Sequence, residues 1–247
     1  MNAPDPGRVL RWALLGWGLG HLLLGRIGPA IGLLAAELAA ALLVAWLFIG
    51  LADTSAYLVP FLAGVAFLIA WAGQAVAAYR SAQSRVPDAR PAPPRSPALV
   101  IAWLTLPLLV WGGGFWLVGA RAASPAAVLD RFVTDWAAGT LDSGEWPPEV
   151  VARAQLAAGA LETGRERLRD VRVRVADASG NRAAAVAESV HYERRDARFL
   201  WVFAGSELVP VVDREVLALR LAARPAELPG GGEIGAVRWG LVEATGP

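Results

Sequence analysis

The stretch GLGHLLLGRIGPAIG, residues 18–32, decides how the first half of the chain can fold. It places five glycines, one proline, one arginine and one of the chain's two histidines within an otherwise apolar region. Glycine and proline interrupt or bend helices, whereas the leucine-rich segments on either side favour burial away from water. The stretch therefore predicts a tight turn between two apolar helices, with a buried histidine that needs a hydrogen-bond partner.

The excess of apolar residues lies in the first half of the chain. Of the 247 residues 55% are hydrophobic, and the mean hydropathy is +0.44. A helix needs about 20 apolar residues to cross a bilayer, and the windows 30–49, 59–79 and 98–119 reach that length. A fourth window, 9–24, is shorter and could span, re-enter or lie on the membrane. We therefore expect three to four transmembrane helices, the first one short, with the membrane domain in residues 1–79 and 98–120.

Several classes of chemistry are excluded or disfavoured by composition. All 23 basic residues are arginine, so the chain has no lysine for a P-loop or a Schiff base. It has no cysteine, and its two histidines are too few for a multi-histidine zinc site. The charges are nearly balanced and form no dense basic patch of the kind that binds nucleic acid. We expect no cofactor, no metal and no nucleic-acid partner.

The arginines in the short loops predict an orientation. Four of them lie in the proline-rich linker 80–97, namely Arg80, Arg85, Arg90 and Arg95. Arg26 falls on the same side, whereas the loop around Asp53 has no basic residue. Positively charged loops stay in the cytoplasm, so the linker should be cytoplasmic and residues 121–247 should form an extracytoplasmic domain. Arg8 and Arg11 do not fit this scheme, which leaves the placement of the first helix open.

Residues 18–26, G-L-G-H-L-L-L-G-R, resemble the G-L-G-H-x-Y-L-G-R signature of small bacterial multi-pass membrane proteins with a TM2-like hairpin. Leu23 stands where that family has tyrosine. The resemblance covers residues 10–49 and implies a helical hairpin in a bacterial cytoplasmic membrane, without naming an activity. From the residues themselves we expect the following positions to form the turn and a face for close helix packing: Gly18, Gly20, Gly25, Arg26, Gly28 and Gly32.

A polar set within the membrane helices centres on His21. An unsatisfied polar group is costly in hydrocarbon, so His21 must find a partner. Glu37 lies at a matching depth across the predicted hairpin, and Gln74 of the next helix is the second candidate. We expect a His21–Glu37 pair. The alternative is that Glu37 extends to the aqueous boundary while His21 bonds a backbone carbonyl.

The C-terminal part, residues 121–247, is predicted to be an α+β domain with two helices on a curved antiparallel sheet. Ser124-Pro125 and Gly139 bound one helix, and residues 148–162 form a second. Alternation with period two then begins at Val171, and Ser179-Gly180-Asn181 supplies a hairpin turn. We expect further strands at 183–192, 199–203, 215–222 and 236–244. Residues 124–139 resemble the first helix of NTF2-like (cystatin-like superfamily) domains of bacterial envelope proteins, which implies a cone-shaped sheet.

These observations favour a non-enzymatic accessory or assembly subunit that presents its C-terminal domain to a protein partner in a membrane complex. A second hypothesis is a cone that binds a small apolar ligand, lined by Trp136, Tyr192, Trp201 and Trp239. A third is proton-linked transport through His21 and Glu37. The polar set considered for catalysis is His191, Tyr192, Glu193 and Arg238, and it matches no known catalytic motif.

Overall fold

The computed structural model describes residues 5–85, 97–141, 144–163, 170–199 and 203–246. Over these residues the chain forms seven α-helices and four β-strands. They are α1 (Pro6–Ala13), α2 (Leu19–Leu23), α3 (Ile27–Leu51), α4 (Leu58–Gln83), α5 (Pro97–Val118), α6 (Pro125–Ala138), α7 (Pro148–Thr163), β1 (Val171–Ser179), β2 (Arg182–Phe199), β3 (Phe203–Glu227) and β4 (Glu233–Thr245).

The chain divides into two compact units. The helical unit comprises Met1–Ala52, Ala56–Gly119 and Glu227–Glu233. The C-terminal unit comprises Asp53–Ser55, Ala120–Ala226 and Ile234–Pro247. The main change from one unit to the other lies near residue 120, and each unit also takes in a short segment from the other part of the sequence.

Two helices of the helical unit are long and apolar enough to cross a membrane. They are α3, with 25 residues and a hydropathy of 2.2, and α4, with 26 residues and a hydropathy of 1.9. The third predicted span coincides with α5, which has 22 residues and an apolar described part from Thr105 to Val118. Both α3 and α5 pack against α4.

The predicted first helix, 9–24, is wrong as a single element. It is divided into α1 and α2 by residues 14–18, where the chain turns and Gly18 has a φ of 84°. Val9 and Ala13 of α1 pack on alanines of α4, among them Ala78. The local sequence favours a break here, because glycines at 16, 18 and 20 lower the stability of a continuous helix.

Three predicted boundaries also need correction. The turn between the first two helices ends at Arg26, because Ile27 and Gly28 already belong to α3. The predicted window 59–79 continues to Gln83, so Arg80 is helical rather than part of the linker. Pro97 begins α5. The rest of the predicted linker, residues 86–96, lies outside the described residues.

The two helices of the C-terminal unit confirm the predictions made from their ends. The Ser124 side chain accepts a hydrogen bond from the Ala127 backbone nitrogen at 3.2 Å, which caps the first turn of α6. Gly139 follows the helix with a φ of 70°, a left-handed conformation that glycine adopts without strain. The second helix, α7, begins at Pro148 as predicted.

The four strands form one antiparallel sheet in the order β1-β2-β3-β4. The predicted two-residue turn joins β1 to β2, since Ser179 pairs with Arg182. Small side chains on β2 and leucines on β3 face the apolar sides of α6 and α7. This core includes Phe132, Trp136, Val150, Leu161, Ala183, Ala185, Leu217, Leu219 and Leu221.

The predicted separate strand at 199–203 is wrong. β2 continues without interruption from Arg182 to Phe199, and Phe199 pairs with Phe203 at the start of β3. The segment is therefore the end of the β2–β3 hairpin, with residues 200–202 outside the described part of the chain. Two irregularities, at Ala187/Glu188 and Ser189/Val190, bend the paired strands.

Candidate functional site

Polar side chains of α3 and α4 bind the backbone exposed by the break between α1 and α2. The Gln74 Nε2 donates to the Ala13 carbonyl at 2.5 Å, and the Trp71 Nε1 donates to the Leu14 carbonyl at 3.2 Å. The Glu37 Oε2 accepts a hydrogen bond from the Trp17 backbone nitrogen at 2.8 Å. Such side chains satisfy backbone groups that a broken helix cannot pair internally, as a low-dielectric environment requires.

The predicted His21–Glu37 hydrogen bond is not formed. The Glu37 carboxyl group is used at the break, where it accepts the hydrogen bond of Trp17, the residue before the N-cap of α2. His21 is buried, and its Nδ1 has no hydrogen-bond partner among the described residues. The alternative, a bond from His21 to a backbone carbonyl, is not formed there either. Gln74 and Glu37 thus both form hydrogen bonds at the break, whereas His21 bonds to neither of them.

Three positions of the glycine-rich motif have distinct structural reasons. A Cβ on Gly18 would overlap the Ala30 carbonyl oxygen, and one on Gly20 would lie 2.8 Å from the Ala13 Cβ and 2.9 Å from the Ala78 Cβ. Gly25 has a φ of 73° and ends α2. Its own nitrogen donates to the Leu22 carbonyl at 2.9 Å, and the nitrogen of Arg26 donates to the His21 carbonyl at 3.0 Å. This pair of bonds is a Schellman motif, which only a left-handed residue closes.

Gly28 and Gly32 do not take part in the close packing expected of them. Among the described residues no atom lies within 4 Å of the Cβ that either position would carry. Both lie on the first two turns of α3, and their side of the helix is exposed. Of the expected packing positions, these two are therefore not used by any described part of the chain.

Of the four aromatic residues proposed to line a ligand cone, the three that the structure describes are not brought together around a cavity. Trp136 is buried in the core, and Trp239 packs against the same core. Tyr192 is 47% exposed on β2, where its hydroxyl accepts a hydrogen bond from the Arg172 guanidinium at 3.1 Å. Trp201 lies outside the described residues.

The distal part of the β2–β3 hairpin, here called the ribbon, is an exposed feature of the C-terminal unit. Pairing of β1 with β2 stops at Ser189, whereas β2 and β3 continue through ten more pairs, from Val190–Val212 to Phe199–Phe203. At about 3.3 Å per residue this ribbon is about 33 Å long. Residues 191–196 and 206–208 are all exposed.

The two faces of the ribbon differ in composition, although neither is wholly apolar or wholly charged. Because side chains alternate along a strand, Tyr192 shares a face with its cross-strand neighbour Pro210 and with Leu208 and Val212. Three of these large side chains are well exposed: Tyr192 at 47%, Leu208 at 67% and Val212 at 52%. The same face carries Arg194 and Asp196 further along the ribbon. The opposite face, here called the charged face, carries four polar side chains together with two valines: His191, Glu193, Arg195, Glu207, Val209 and Val211.

His191 lies between two carboxylates on the charged face. Its Nδ1 is 2.7 Å from the Asp213 Oδ1, and its Nε2 is 3.3 Å from the Glu193 Oε1. The hydrogen bond with Asp213, followed by the one with Glu193, raises the pKa of His191 above 6.5. The ring is half exposed, so this cluster is open to water and does not form an enclosed catalytic site.

Arg238, the fourth member of the polar set considered for catalysis, lies in a different part of the C-terminal unit. Its Nη2 binds the Asp53 Oδ1 at 2.8 Å. Ser55 and Val237 exchange two further bonds: the Ser55 nitrogen donates to the Val237 carbonyl at 2.9 Å, and the Val237 nitrogen donates to the Ser55 Oγ at 3.0 Å. The short loop Asp53–Ser55 thus pairs with β4.

The ribbon and the pairing of Asp53–Ser55 with β4 were both missed by the sequence interpretation. The sequence holds one signal for the ribbon, because residues 190–199 contain neither glycine nor proline and so nothing there ends a strand. Residues 206–212 alternate only loosely between polar and apolar and do not mark the second strand of the ribbon. No local signal marks the loop, since its partner strand lies 182 residues away in the sequence. Across the described residues no group of three or more histidine or acidic side chains could hold a metal ion.

Comparison with known proteins adds no family assignment, since the chain matches no protein-family model, no curated protein and no solved structure.

Proposed function

We propose that this chain is a non-enzymatic integral membrane protein, an accessory subunit that uses the ribbon of its C-terminal unit to bind a protein partner. The single observation that carries the proposal is the ribbon of ten residue pairs, with its cluster of exposed apolar side chains at Tyr192, Leu208 and Val212. A two-stranded hairpin is only marginally stable in water by itself, and it leaves strand edges and apolar side chains open. A partner that covers the Tyr192 and Leu208 face would bury these apolar side chains.

The membrane location is part of the proposal. α3 and α4 are apolar enough to span, and we place α5 across the membrane with them. The basic turn at Arg26 is joined to the end of α4, because the Arg85 Nη1 donates to the Leu24 carbonyl at 2.7 Å. The loop Asp53–Ser55, which has no basic residue, belongs to the C-terminal unit. Both observations support a cytoplasmic Arg26 turn and an extracytoplasmic C-terminal unit.

The other two hypotheses have less support. A ligand cone would need open space next to Trp136, which is 3% exposed and fills the core. Proton-linked transport would need a connection between His21 and Glu37, but Glu37 binds the Trp17 nitrogen. That the chain is related to TM2-like hairpin proteins and to NTF2-like domains remains a proposal.

A crosslinking experiment tests the ribbon. Leu208 on the ribbon and Leu156 on α7 are equally exposed, at 67% and 68%, so each can be replaced by p-benzoylphenylalanine with little effect on folding. In cells, we expect an adduct of one defined mass from position 208 and none from position 156. The change Leu208→Asp should abolish co-purification of that partner in mild detergent, whereas Leu156→Asp should preserve it. Equal adducts at both positions would refute the proposal.

The orientation can be tested separately because the chain has no cysteine. Single cysteines at the exposed positions Ala137 and Ser84 would report on the two sides of the membrane. An impermeant maleimide should label Ala137→Cys in intact cells and Ser84→Cys only after lysis. The reverse pattern would overturn the orientation and leave the role of the ribbon to its own test.

A further inference from the structure

A cleft of about 640 Å³ lies within the helical unit between α3 and α5, with α4 beneath it. Its walls are the faces of α3 around Ala45 and of α5 around Gly114, and Leu68 of α4 contributes to its floor. The two walls meet through aromatic rings, because the Phe48 centroid is 5.7 Å from that of Phe115. Contacts between rigid aromatic rings hold the cleft open in a preformed shape.

The lining offers hydrocarbon contacts and no free hydrogen-bonding side chain. Every lining side chain is apolar except the indole of Trp111. The Trp111 Nε1 already donates to the Phe61 carbonyl at 3.1 Å, so it has no second proton to give. A polar occupant would lose its hydrogen bonds to water without replacement, which is unfavourable in an apolar site. The cleft therefore selects an apolar chain.

We propose that this cleft binds one hydrocarbon chain of a membrane lipid. The inference rests on the membrane location given under the proposed function, since only there is the cleft bathed in acyl chains. It goes beyond that function because it assigns a ligand to the helical unit, whereas the ribbon belongs to the C-terminal unit.

The dimensions of the cleft suit a hydrocarbon chain. The α3 wall runs from Ala41 to Ile49, which is about 12 Å at 1.5 Å per residue. A single hydrocarbon chain is narrower than a helix, whose diameter with side chains is about 10–12 Å. The measured volume falls within the range of about 300–1,000 Å³ typical of small-molecule sites.

Two neighbouring glycines supply a matched pair of variants. Gly114 lines the cleft, whereas Gly113 on the same helix does not. Among the described residues nothing lies within 4 Å of a Cβ at either position, so leucine at each can be accommodated without a clash at its first carbon. Gly114→Leu should fill part of the cleft. Gly113→Leu makes the same change in helix propensity and leaves the cleft empty.

The test uses the full chain in vesicles of phosphatidylethanolamine and phosphatidylglycerol, with a trace of phosphatidylethanolamine that carries a diazirine on one acyl chain. After illumination, mass spectrometry compares adducts at cleft residues such as Ala45 with adducts at Leu42 and Leu109, which are 63% and 70% exposed. We expect adducts in the cleft to exceed those at the exposed leucines several-fold. Gly114→Leu should lower the cleft adducts at least fivefold, and Gly113→Leu should not change them.

The remaining outcomes separate the two proposals. Equal labelling of the cleft and of Leu42 and Leu109, unchanged in Gly114→Leu, would overturn the lipid site while leaving the membrane location intact. Protection of the cleft in a protein that sediments as a dimer would assign it to a helix of a second copy and would also overturn the proposal. Absence of adducts from all the helices would refute the membrane location itself.

Discussion

Three glycine-to-alanine changes in the 18–32 motif should differ in their effect on stability, because each glycine has a different structural environment. Gly20 has ordinary helical angles but lies wedged between α1 and α4. Gly25 has open space around it but a φ of 73°. Gly32 has neither constraint, since it is helical and exposed. The three variants therefore isolate a steric clash, a backbone strain and helix propensity.

The magnitudes follow from these geometries. Carbon atoms pack at about 3.5–4.0 Å, so a Cβ on Gly20 that meets the Ala78 Cβ at 2.9 Å must push the helices apart by more than 0.5 Å. Such overpacking costs about 1–3 kcal/mol, of which up to about 1 is recovered as helix propensity. Gly25→Ala should cost about 1 kcal/mol for the left-handed conformation. Gly32→Ala should stabilise the protein by up to about 1 kcal/mol.

The measurement is thermal unfolding of the full chain in mild detergent, followed by intrinsic tryptophan fluorescence. A second change makes the test specific: Ala78→Gly removes one of the atoms that the new Cβ on Gly20 would meet. The cost of Gly20→Ala should therefore be smaller in the Ala78→Gly background, whereas the cost of Gly25→Ala should be the same in both backgrounds. Strict additivity of Gly20→Ala and Ala78→Gly would refute the packing explanation, as would a destabilising effect of Gly32→Ala.

Three further predictions concern other parts of the chain. Glu37→Leu leaves a backbone nitrogen at the break unpaired and should cost about 1–3 kcal/mol in the same unfolding assay; its effect should add to that of His21→Leu, because the two side chains do not bond. The folded-state pKa of His191 is raised, so the contribution of His191 to stability is complete below about pH 6.5 and is lost as the pH rises through the folded-state value. His191→Gln should therefore lower the Tm more at about pH 5 than at about pH 9. An equal loss of Tm at both pH values would contradict the Asp213 contact. Phe132→Ala should destabilise the C-terminal unit by about 3–5 kcal/mol in urea unfolding followed by far-UV circular dichroism, and a loss below 1 kcal/mol would show that the core is not packed as described.

The features that sequence predicted well depend on neighbouring residues. The start of α6 at Ser124-Pro125, its end at Gly139 and the turn at Gly180-Asn181 each follow from the conformational preferences of two or three residues. The apolar length of α3 and α4 follows as directly from composition. Such local rules hold in this chain because nothing in the tertiary structure opposes them.

The features that sequence missed depend on contacts between distant residues. Hydropathy cannot show that the window 9–24 breaks, because the break is stabilised by Gln74 and Trp71 from α4. The estimate that placed His21 beside Glu37 considered only how far each residue lies from the hairpin turn. It did not foresee the break, which frees the Trp17 nitrogen to donate to the Glu37 Oε2. The sequence interpretation did not predict the ribbon as one hairpin, because it treated the apolar segment 199–203 as a separate strand.

The pairing of Asp53–Ser55 with β4 has a consequence for how the protein is made. Translation delivers the α3–α4 loop more than 180 residues before Val237 and Arg238, which supply three of its hydrogen bonds. A stalled or shortened chain would lack these three bonds, and exposed loops that are held weakly are preferred targets of proteases. Cleavage near residue 53 should therefore be faster in an incomplete molecule than in one whose strand around Val237 has been synthesised and has folded.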